Sequence, residues 1–531
     1  MKLVDGPRAR VVLYYPKLWE PQWPMWAPLD MYAIATSLLH RGYEVTLIDE
    51  RVHPDPIEWL MKELPGALMV GLSGKFGDQC RYMRDRARLI KSVRPDLPIM
   101  AGGWFPSLFP EATLESPDID IVAIGPGDFS APEVADRLLA HRSLDGVQGV
   151  WARERGTLIK NPIGHLPRLD DTHPIDWELM GIRHYVHPNG WVNYFTSRGC
   201  PGGCTFCSIF CLDPHRWTAL SAERVVDEME ILVHRIGAHA LKIMDTDYCA
   251  DVRRVERISQ LILQRGLEVR YEVLGRHYNL CRMNDEQIRL LRRSGCTEIE
   301  MGVESGSQRL ADLIDKQLRV DLVLGTARRF VQNGIRLKVN FMFGMPTETR
   351  ADLAQSFRLM IALNDELGEG IRLQLFRFTP LPDAPLNKQV WSMKARGHDG
   401  RTPRTFDELL ALPINEEPAH MFWVSKQHER DVKRTFYYYA PLVFYNGALQ
   451  TGRDRPLWTM VLKVLQRIAR WRVSNGHYQF PLDMWLNDWF GKPMPRADDD
   501  GIGPPEDVLP APAPIFMGDS VDTKAPLEPV V

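Results

Sequence analysis

Ser197-Arg198-Gly199-Cys200-Pro201-Gly202-Gly203-Cys204-Thr205-Phe206-Cys207 decides how the rest of the chain is read. Three cysteines stand in it, with three and then two residues between them. Thiolates are soft ligands suited to iron and zinc, and a tight cysteine cluster in one loop is how a chain holds an iron–sulfur cube. Three ligands are one short of a full set for such a cube, which leaves one iron open to a small molecule. The glycines let the loop wrap around the cube and leave backbone N–H groups free to face its sulfurs. The rival reading is a structural zinc knuckle, which takes four ligands. Cys211 could serve as the fourth, although no second CxxC pair follows at zinc-finger distance.

Composition sets the frame around this loop. The chain has 531 residues, 44% hydrophobic and 25% charged, which is ordinary for a folded protein and long enough for two or three cored domains. A net charge of −3 gives no bias toward nucleic acid or an anionic surface. No run reaches the roughly 18 apolar residues of a membrane span. Met1 to Arg10 has no apolar signal region. The eight cysteines fall by motif and not as a disulfide framework, which predicts a reducing, cytoplasmic setting.

Upstream, apolar runs alternate with helical stretches. Val11 to Tyr15, Glu44 to Asp49, Leu68 to Ser73, Pro98 to Gly103 and Asp120 to Gly125 read as strands, with Met31 to His40 and Gln79 to Val93 as helices. The alternation predicts an α/β domain over residues 1–145, a doubly wound, Rossmann-like parallel sheet. Small residues end three strands: Ser73-Gly74, Gly102-Gly103 and Gly125-Pro126-Gly127. Ligands of such sheets sit at the carboxyl ends of strands, where glycine permits close approach. No GxGxxG follows the first strand, which argues against a dinucleotide. Residues 146–190, with Pro162, Pro167, Pro174 and Pro188, read as an extended linker.

Downstream, residues 191–386 hold strand-like runs at Trp191 to Thr196, Ala240 to Asp245, Val269 to Leu274, Glu298 to Val303, Leu337 to Phe343 and Ile371 to Phe378. Helical patterns separate them, which predicts a partial (β/α)6 barrel with its site at the strand ends. Those ends carry Asp245 and Asp247, Gly275-Arg276, Gly302-Val303-Glu304-Ser305-Gly306 and Gly344-Met345-Pro346-Thr347-Glu348-Thr349. A carboxylate at 245 or 247 can pair an ammonium, though Asp247 could equally cap a helix. Arg276 could clamp a carboxylate or form a surface ion pair. Cys249, just past a strand end, is the free cysteine to watch as a reactive thiol. Met244, Met342 and Met345 read as core. Residues 387–494 read as a mainly helical region. Its Leu457 to Val473 helix sets Lys463, Arg467 and Arg470 on one face beside Trp458 and Trp471, a pattern suited to peripheral membrane contact or to docking on the barrel. The Pro- and Asp-rich tail, 495–531, is expected to be disordered.

CxxxCxxC with Phe206 just before the third cysteine resembles the radical S-adenosylmethionine (SAM) superfamily. The resemblance implies a [4Fe–4S] cluster on Cys200, Cys204 and Cys207 whose open iron binds SAM and whose electron cleaves it to a 5′-deoxyadenosyl radical. By the same resemblance an acidic residue near 245–247 meets the SAM amino group and Glu304, in a GxES motif with Ser305, meets the ribose. The GxPxET-like turn at 344–349 would then position backbone near adenine. The first domain is similar to the cobalamin-binding domain that precedes many radical SAM domains. "RGYEVTLIDE", "VGLS", "AGGWFPSLFPE" and "DIDIVAIGPGD" carry that likeness. It implies that Ser73, Gly74, Gly102, Gly103, Trp104, Gly125 and Gly127 cradle cobalamin. Trp104-Phe105 and Gly125-Pro126-Gly127-Asp128 depart from the family's GGxH and GEGE. There is no DxHxxG, so the lower face of cobalt is expected to lack histidine.

Together these imply a cobalamin-dependent radical SAM enzyme acting on a small molecule, with flavodoxin or ferredoxin as the reductant. Its expected reaction is methyl transfer from methylcobalamin to a carbon or phosphorus centre. An oxidative cyclase, as in the anaerobic magnesium-protoporphyrin ester cyclase, is the enzymic alternative. A non-catalytic iron–sulfur or cobalamin-binding regulator is the alternative from another class; it would have no need of SAM-binding residues at four separate strand ends.

Overall fold

The computed structural model describes residues 9–18, 25–164, 168–212, 216–395, 398–412, 421–444, 456–479 and 515–517. The apolar run Val11 to Tyr15 lies in strand β1 (Arg10–Tyr15), buried on both faces as a central parallel strand requires. β2 (Glu44–Asp49), β3 (Ala67–Ser73), β4 (Ile99–Gly102) and β5 (Ile121–Ala123) join it in the order β2-β1-β3-β4-β5, all parallel. That order reverses beside β1, and a reversal of this kind opens a crevice at the strand ends of a doubly wound sheet. Alternate residues of β1 serve two cores. Val12 and Tyr14 pack toward the helices of one face, whereas Val11, Leu13 and Tyr15 belong to a core that runs without a break into the barrel.

The linker expected from residue 146 starts later than its composition suggests. β6 (Val150–Glu154) and β7 (Thr157–Lys160) form an antiparallel hairpin that extends the first sheet beyond β5. Arg155 and Gly156 both take positive φ, 49° and 81°, which is the geometry of a tight hairpin turn. At the other edge, Ile515–Met517 pairs antiparallel with β2. These three residues depart from the disorder expected of the tail, because an apolar triplet meets an unpaired strand edge. The rest of the tail, like 480–494 before it, lies outside the described residues.

The second sheet is the expected six-stranded parallel array. β8 (Trp191–Tyr194) leads, through the short ribbon β9 (Ser197–Gly199) and β10 (Trp217–Ala219), to β11 (Ala240–Ile243), β12 (Arg270–Arg276), β13 (Cys296–Glu304), β14 (Arg336–Phe343) and β15 (Ile371–Arg377). Strand order follows chain order, β8-β11-β12-β13-β14-β15, as a partial barrel demands. Leu241, Ile243, Val273, Ile299, Met301, Val339 and Phe341 pack outward against the helices. The opposite face is polar. There Lys242 pairs with Glu272 at 3.1 Å and Lys338 with Glu300 at 2.9 Å.

The C-terminal helices do not form a unit of their own. Phe406–Leu410 packs into the second core of the first domain, with Phe406 5.2 Å from the Phe105 ring. Helix Lys426–Arg434 runs through a π-helical turn, Thr435–Tyr439, into Ala440–Phe444. Helix Pro456–Asn475 packs along Arg350–Leu367 with Leu465, Ala469 and Val473 buried, and Arg470 reaches Asp365 at 2.6 Å. Val464, Ile468 and Trp471 remain exposed on its outer side. Among the described residues no helix is long and apolar enough to cross a membrane.

Candidate functional site

The cysteine loop leaves the β9–β10 ribbon at Gly199. Its φ is +78°, and a Cβ there would stand 2.2 Å from the Arg216 carbonyl oxygen, so only glycine fits. Beyond it the Gly202 N–H points at the Cys200 sulfur, 3.4 Å away, and the Cys207 N–H donates to the Cys204 carbonyl at 3.1 Å. The Thr205 N–H donates to the Ile314 carbonyl at 3.0 Å, and the Thr205 carbonyl accepts from the Leu386 N–H at 3.0 Å. The loop is thus held from both sides by segments far away in sequence. Cys211 belongs to helix Ser208–Leu212, where burial and the Asp383 carboxylate push its thiol up to about 12. It lies in the helix that follows the loop, beside Asp383, whereas Cys200, Cys204 and Cys207 belong to the loop itself. Three cysteines on one loop, none in a disulfide and one with a backbone N–H on its sulfur, fit the three ligated corners of a [4Fe–4S] cube.

Buried cations crowd this loop. The Arg276 guanidinium lies on Gly202, where a Cβ would come within 2.5 Å of its Cζ. Its Nη2 donates to the Lys316 carbonyl at 3.1 Å, while its buried Nε has no protein partner. Arg276 is therefore no surface ion pair. The Lys316 side chain is 11% exposed; desolvation lowers its pKa, but Glu304, at 2.6 Å, and Cys204 outweigh this and raise it. Its ammonium stands 5.9 Å from the centre of the Phe206 ring. Burial pushes the Cys200 thiol up, and the Gly202 N–H and the Arg276 guanidinium pull against that rise.

The two candidate carboxylates separate cleanly. Asp245 accepts four hydrogen bonds, from the N–H and hydroxyl of Thr196 (2.6 Å each) and of Ser197 (3.0 and 2.7 Å). Those bonds fix the junction of β8 and β9, and they use up its oxygens. Asp247 accepts the Arg276 N–H at 3.3 Å and the Asn279 amide at 2.9 Å, with the Cys249 backbone also stabilising its charge. It caps no helix with its side chain. Burial raises its pKa to about 6, and its charge is felt by Cys200. Glu304 holds a positive φ of 66°, a strained backbone for a glutamate that aims its carboxylate back over Gly302 onto Lys316. Ser305 is wholly buried, bonded to the Ser356 hydroxyl at 3.2 Å and to the Ser307 N–H at 3.1 Å, so its hydroxyl is spent on packing helix Arg350–Leu367.

The turn after β14 is held by the C-terminal region. The Glu348 carboxylate is buried, accepts the Gly344 N–H at 2.7 Å and meets His428 Nε2 at 3.0 Å. The Trp423 indole N–H donates to the Gly344 carbonyl at 2.7 Å. Met244 is 49% exposed at the end of β11, against the expectation of core, because it falls on the polar inner face of the sheet; Met342 and Met345 are buried as expected. Cys249 is fully buried with its pKa pushed up, an inert core thiol.

The strand ends of the first sheet are bare by contrast. Gly103 has φ +99°, and a Cβ would stand 2.6 Å from the Gly74 carbonyl oxygen, so these two glycines let the third and fourth strand ends touch. Gly102 and Gly125 face room: a Cβ on Gly102 would meet only Ala123 at 3.7 Å, and one on Gly125, at φ +83°, would meet nothing. Ser73 is buried and bonds Asp30 at 3.4 Å, and a Cβ on Gly127 would press on Ile34 at 3.0 Å. Trp104 stands 41% exposed beside them, edge-on to Phe76. A flat cofactor would fill the space over Gly102 and Gly125 with Trp104 at its margin. Helix Trp104–Leu108 lies against helix Ser208–Leu212 of the cysteine loop, so the two sets of strand ends adjoin.

The family model of the B12 binding domain matches residues 25–135, and that of the radical SAM superfamily matches residues 194–360. The B12 match falls on the first sheet and the radical SAM match on the barrel. An uncharacterised methyltransferase of Pyrococcus horikoshii is 30% identical over 281 residues, 51% of this chain and 59% of that protein. The cytidylyl-2-hydroxyethylphosphonate methyltransferase of Streptomyces wedmorensis is 25% identical over 374 residues, 60% of this chain and 69% of that one. The chain thus spans only part of the length of each. Among solved structures, OxsB, a cobalamin-dependent SAM radical enzyme with aqua-cobalamin and SAM bound, has a TM-score of 0.68 at 17% identity over 91% of this chain and 75% of its own. At that identity the likeness is one of fold.

Proposed function

We propose that this protein is a cobalamin-dependent radical SAM methyltransferase acting on a carbon or phosphorus centre of a small molecule. The observation that carries the reading is the adjacency of two unlike strand-end sites, one of thiols and charged pairs and one of glycines, through helices Trp104–Leu108 and Ser208–Leu212. When bound, the cluster supplies the electron that cleaves SAM, and cobalamin supplies the methyl group. The chain's own residues would do the rest. Cys200, Cys204 and Cys207 hold the cluster. Asp247 receives the SAM ammonium, Arg276 and Lys316 receive its carboxylate, and Glu304 receives the ribose hydroxyls, each by a charge-assisted bond in a buried setting. Gly102, Gly103 and Gly125, with Trp104, receive the corrin. Docking of the two domains keeps water from the space between them. A flavodoxin- or ferredoxin-like reductant and a cytoplasmic setting belong to the same reading.

Supplied with a strong reductant and SAM carrying a deuterated methyl group, with cell lysate as the substrate source, the enzyme forms 5′-deoxyadenosine and S-adenosylhomocysteine in similar amounts and labels a product. Deoxyadenosine alone, with no label transferred, would favour the cyclase-type reaction. Neither product, with an intact cluster, would leave a regulator.

A further inference from the structure

The two cofactor sites lie on separate sheets, so something must fix the distance between them. One contact joins their loops directly. Arg198 stands two residues before Cys200 in β9, and Asp128 stands three residues after Gly125, in the first turn of helix Gly127–Leu139. Nη1 of Arg198 bonds both carboxylate oxygens of Asp128 at 2.9 Å. The Asp128 side chain is 4% exposed and that of Arg198 20%, so solvent screens the pair little. The Arg198 guanidinium also covers the Phe195 ring at 5.1 Å, which limits its freedom to turn away. Neither residue faces a thiol or a cradle glycine in the contacts described above.

We propose that Arg198 and Asp128 are positioning residues, an ionic latch that sets the separation and orientation of the cluster loop relative to the cobalamin cradle. The inference rests on the reading given under Proposed function. A second tie supports the rigid frame in which such a latch can act. Asn193 in β8 clasps the Ala27 backbone, donating to its carbonyl and accepting its N–H, both at 2.9 Å. That tie holds the barrel's first strand to the entry of helix Leu29–His40. It lies farther along the chain from either cofactor loop, and it leaves the last few residues before Cys200 to be placed by Arg198. Because a single nitrogen makes both bonds to the carboxylate, a lysine ammonium can take its place, whereas glutamine cannot supply the charge.

The test has one arm without cofactors and one with them. In the cofactor-free protein, Asp128→Asn and Arg198→Gln are each expected to speed amide hydrogen exchange at least about fivefold in both 125–131 and 197–204, while Arg198→Lys leaves it within about twofold of the parent protein. In the loaded protein, pulsed electron paramagnetic resonance reads the distance between the reduced cluster and cob(II)alamin. The parent and Arg198→Lys are expected to give one narrow distribution, and the Asn and Gln variants a broadened or shifted one. Iron content and 5′-deoxyadenosine formation without substrate stay within about twofold in all of them. An unchanged distance in Asp128→Asn and Arg198→Gln would overturn the proposal. So would equal loss of cluster and deoxyadenosine, which marks a merely structural pair. Latched exchange in a parent protein that binds no cobalamin would instead overturn the functional reading, and the cofactor role of the latch with it.

Discussion

The strand ends of the two sheets are built in opposite ways. Those of the barrel are packed with buried charge: Asp247, Arg276, Glu304 and Lys316 press against the cysteine loop, and each is fixed by another. Those of the first sheet are stripped: Gly102 and Gly125 face space, and the one large side chain beside them, Trp104, is half open to solvent. A small flexible zwitterion needs paired charges to hold it still, because a buried ion without a partner is costly. A large rigid ring is ordered already and needs chiefly a surface that lets it approach. On the proposed reading the same device, a loop at the carboxyl end of a parallel strand, would serve two kinds of ligand according to whether charge or glycine occupies it.

The sharpest break in the comparison is to remove the thiols. Cys200→Ala, Cys204→Ala or Cys207→Ala is expected to abolish 5′-deoxyadenosine formation and to lower the iron count, whereas Cys211→Ala keeps both. A full iron and sulfide count in the triple alanine variant would sink the cluster assignment. Next in size is Lys316→Met, which leaves the Glu304 carboxylate buried and alone. Loss of a charge-assisted bond to the SAM carboxylate costs about 1.5–3 kcal/mol, so SAM is expected to dissociate roughly ten- to a hundredfold more readily, with Lys316→Arg recovering most of the affinity. Equilibrium dialysis with labelled SAM reads this, and cobalamin binding should not move.

The opposite asymmetry is expected on the first sheet. Gly125→Val puts a branched side chain at a φ of +83° and fills the open space above it. Cobalamin affinity should fall about tenfold or more on steric grounds, with SAM affinity untouched; equal loss of both would erase the distinction between the sites. Bound cob(II)alamin should show no axial nitrogen splitting, since the indole nitrogen of Trp104 is a donor without a free lone pair.

The mildest effect is one of pH. With the Asp247 carboxyl raised by burial to about 6, SAM affinity should fall severalfold as pH drops below about 6, and Asp247→Asn should flatten the curve. Without SAM the sign is reversed for stability. The native state holds this proton more tightly than the unfolded chain, whose aspartate titrates near 3.9, so this group's contribution to stability declines as pH rises from about 4 to about 6. A melting temperature that rises through that window only in the presence of SAM would carry both halves of the argument.

What the sequence revealed, and what it hid, follows from the range of the forces involved. The cysteine spacing and the strand-end glycines are local, so Cys200, Cys204, Cys207, Gly102 and Gly125 could be singled out as candidates directly, and all six barrel strands could be read from their apolar runs. Lys316 was missed because a lysine in Ile314-Asp315-Lys316-Gln317 reads as a solvated charge. Only packing against Glu304 and the loop of Cys204 buries it. The choice between Asp245 and Asp247 was open for the same reason: the hydroxyls at 196 and 197 that occupy Asp245 lie a full βα unit away in sequence. The β6–β7 hairpin did leave a signal. Trp151-Ala152-Arg153-Glu154 and Thr157-Leu158-Ile159-Lys160 flank a two-residue turn, but Arg155-Gly156 lacks the Asn or Asp that usually marks one.

The clasp on Gly344 bears on how such proteins can be recombined. Its N–H is taken by Glu348, its carbonyl by Trp423, and the carboxylate of Glu348 in turn by His428, so the turn after β14 is completed by residues from about 80 positions further along the chain. A barrel cut off after its sixth strand would strand a buried acid and leave the Gly344 carbonyl without its indole donor. Exchanging the helical region between relatives to change what they accept would therefore need to carry the tryptophan and histidine across with it. A boundary at which modules can be traded therefore lies no earlier than the end of helix Lys426–Arg434, well past the end of the barrel itself.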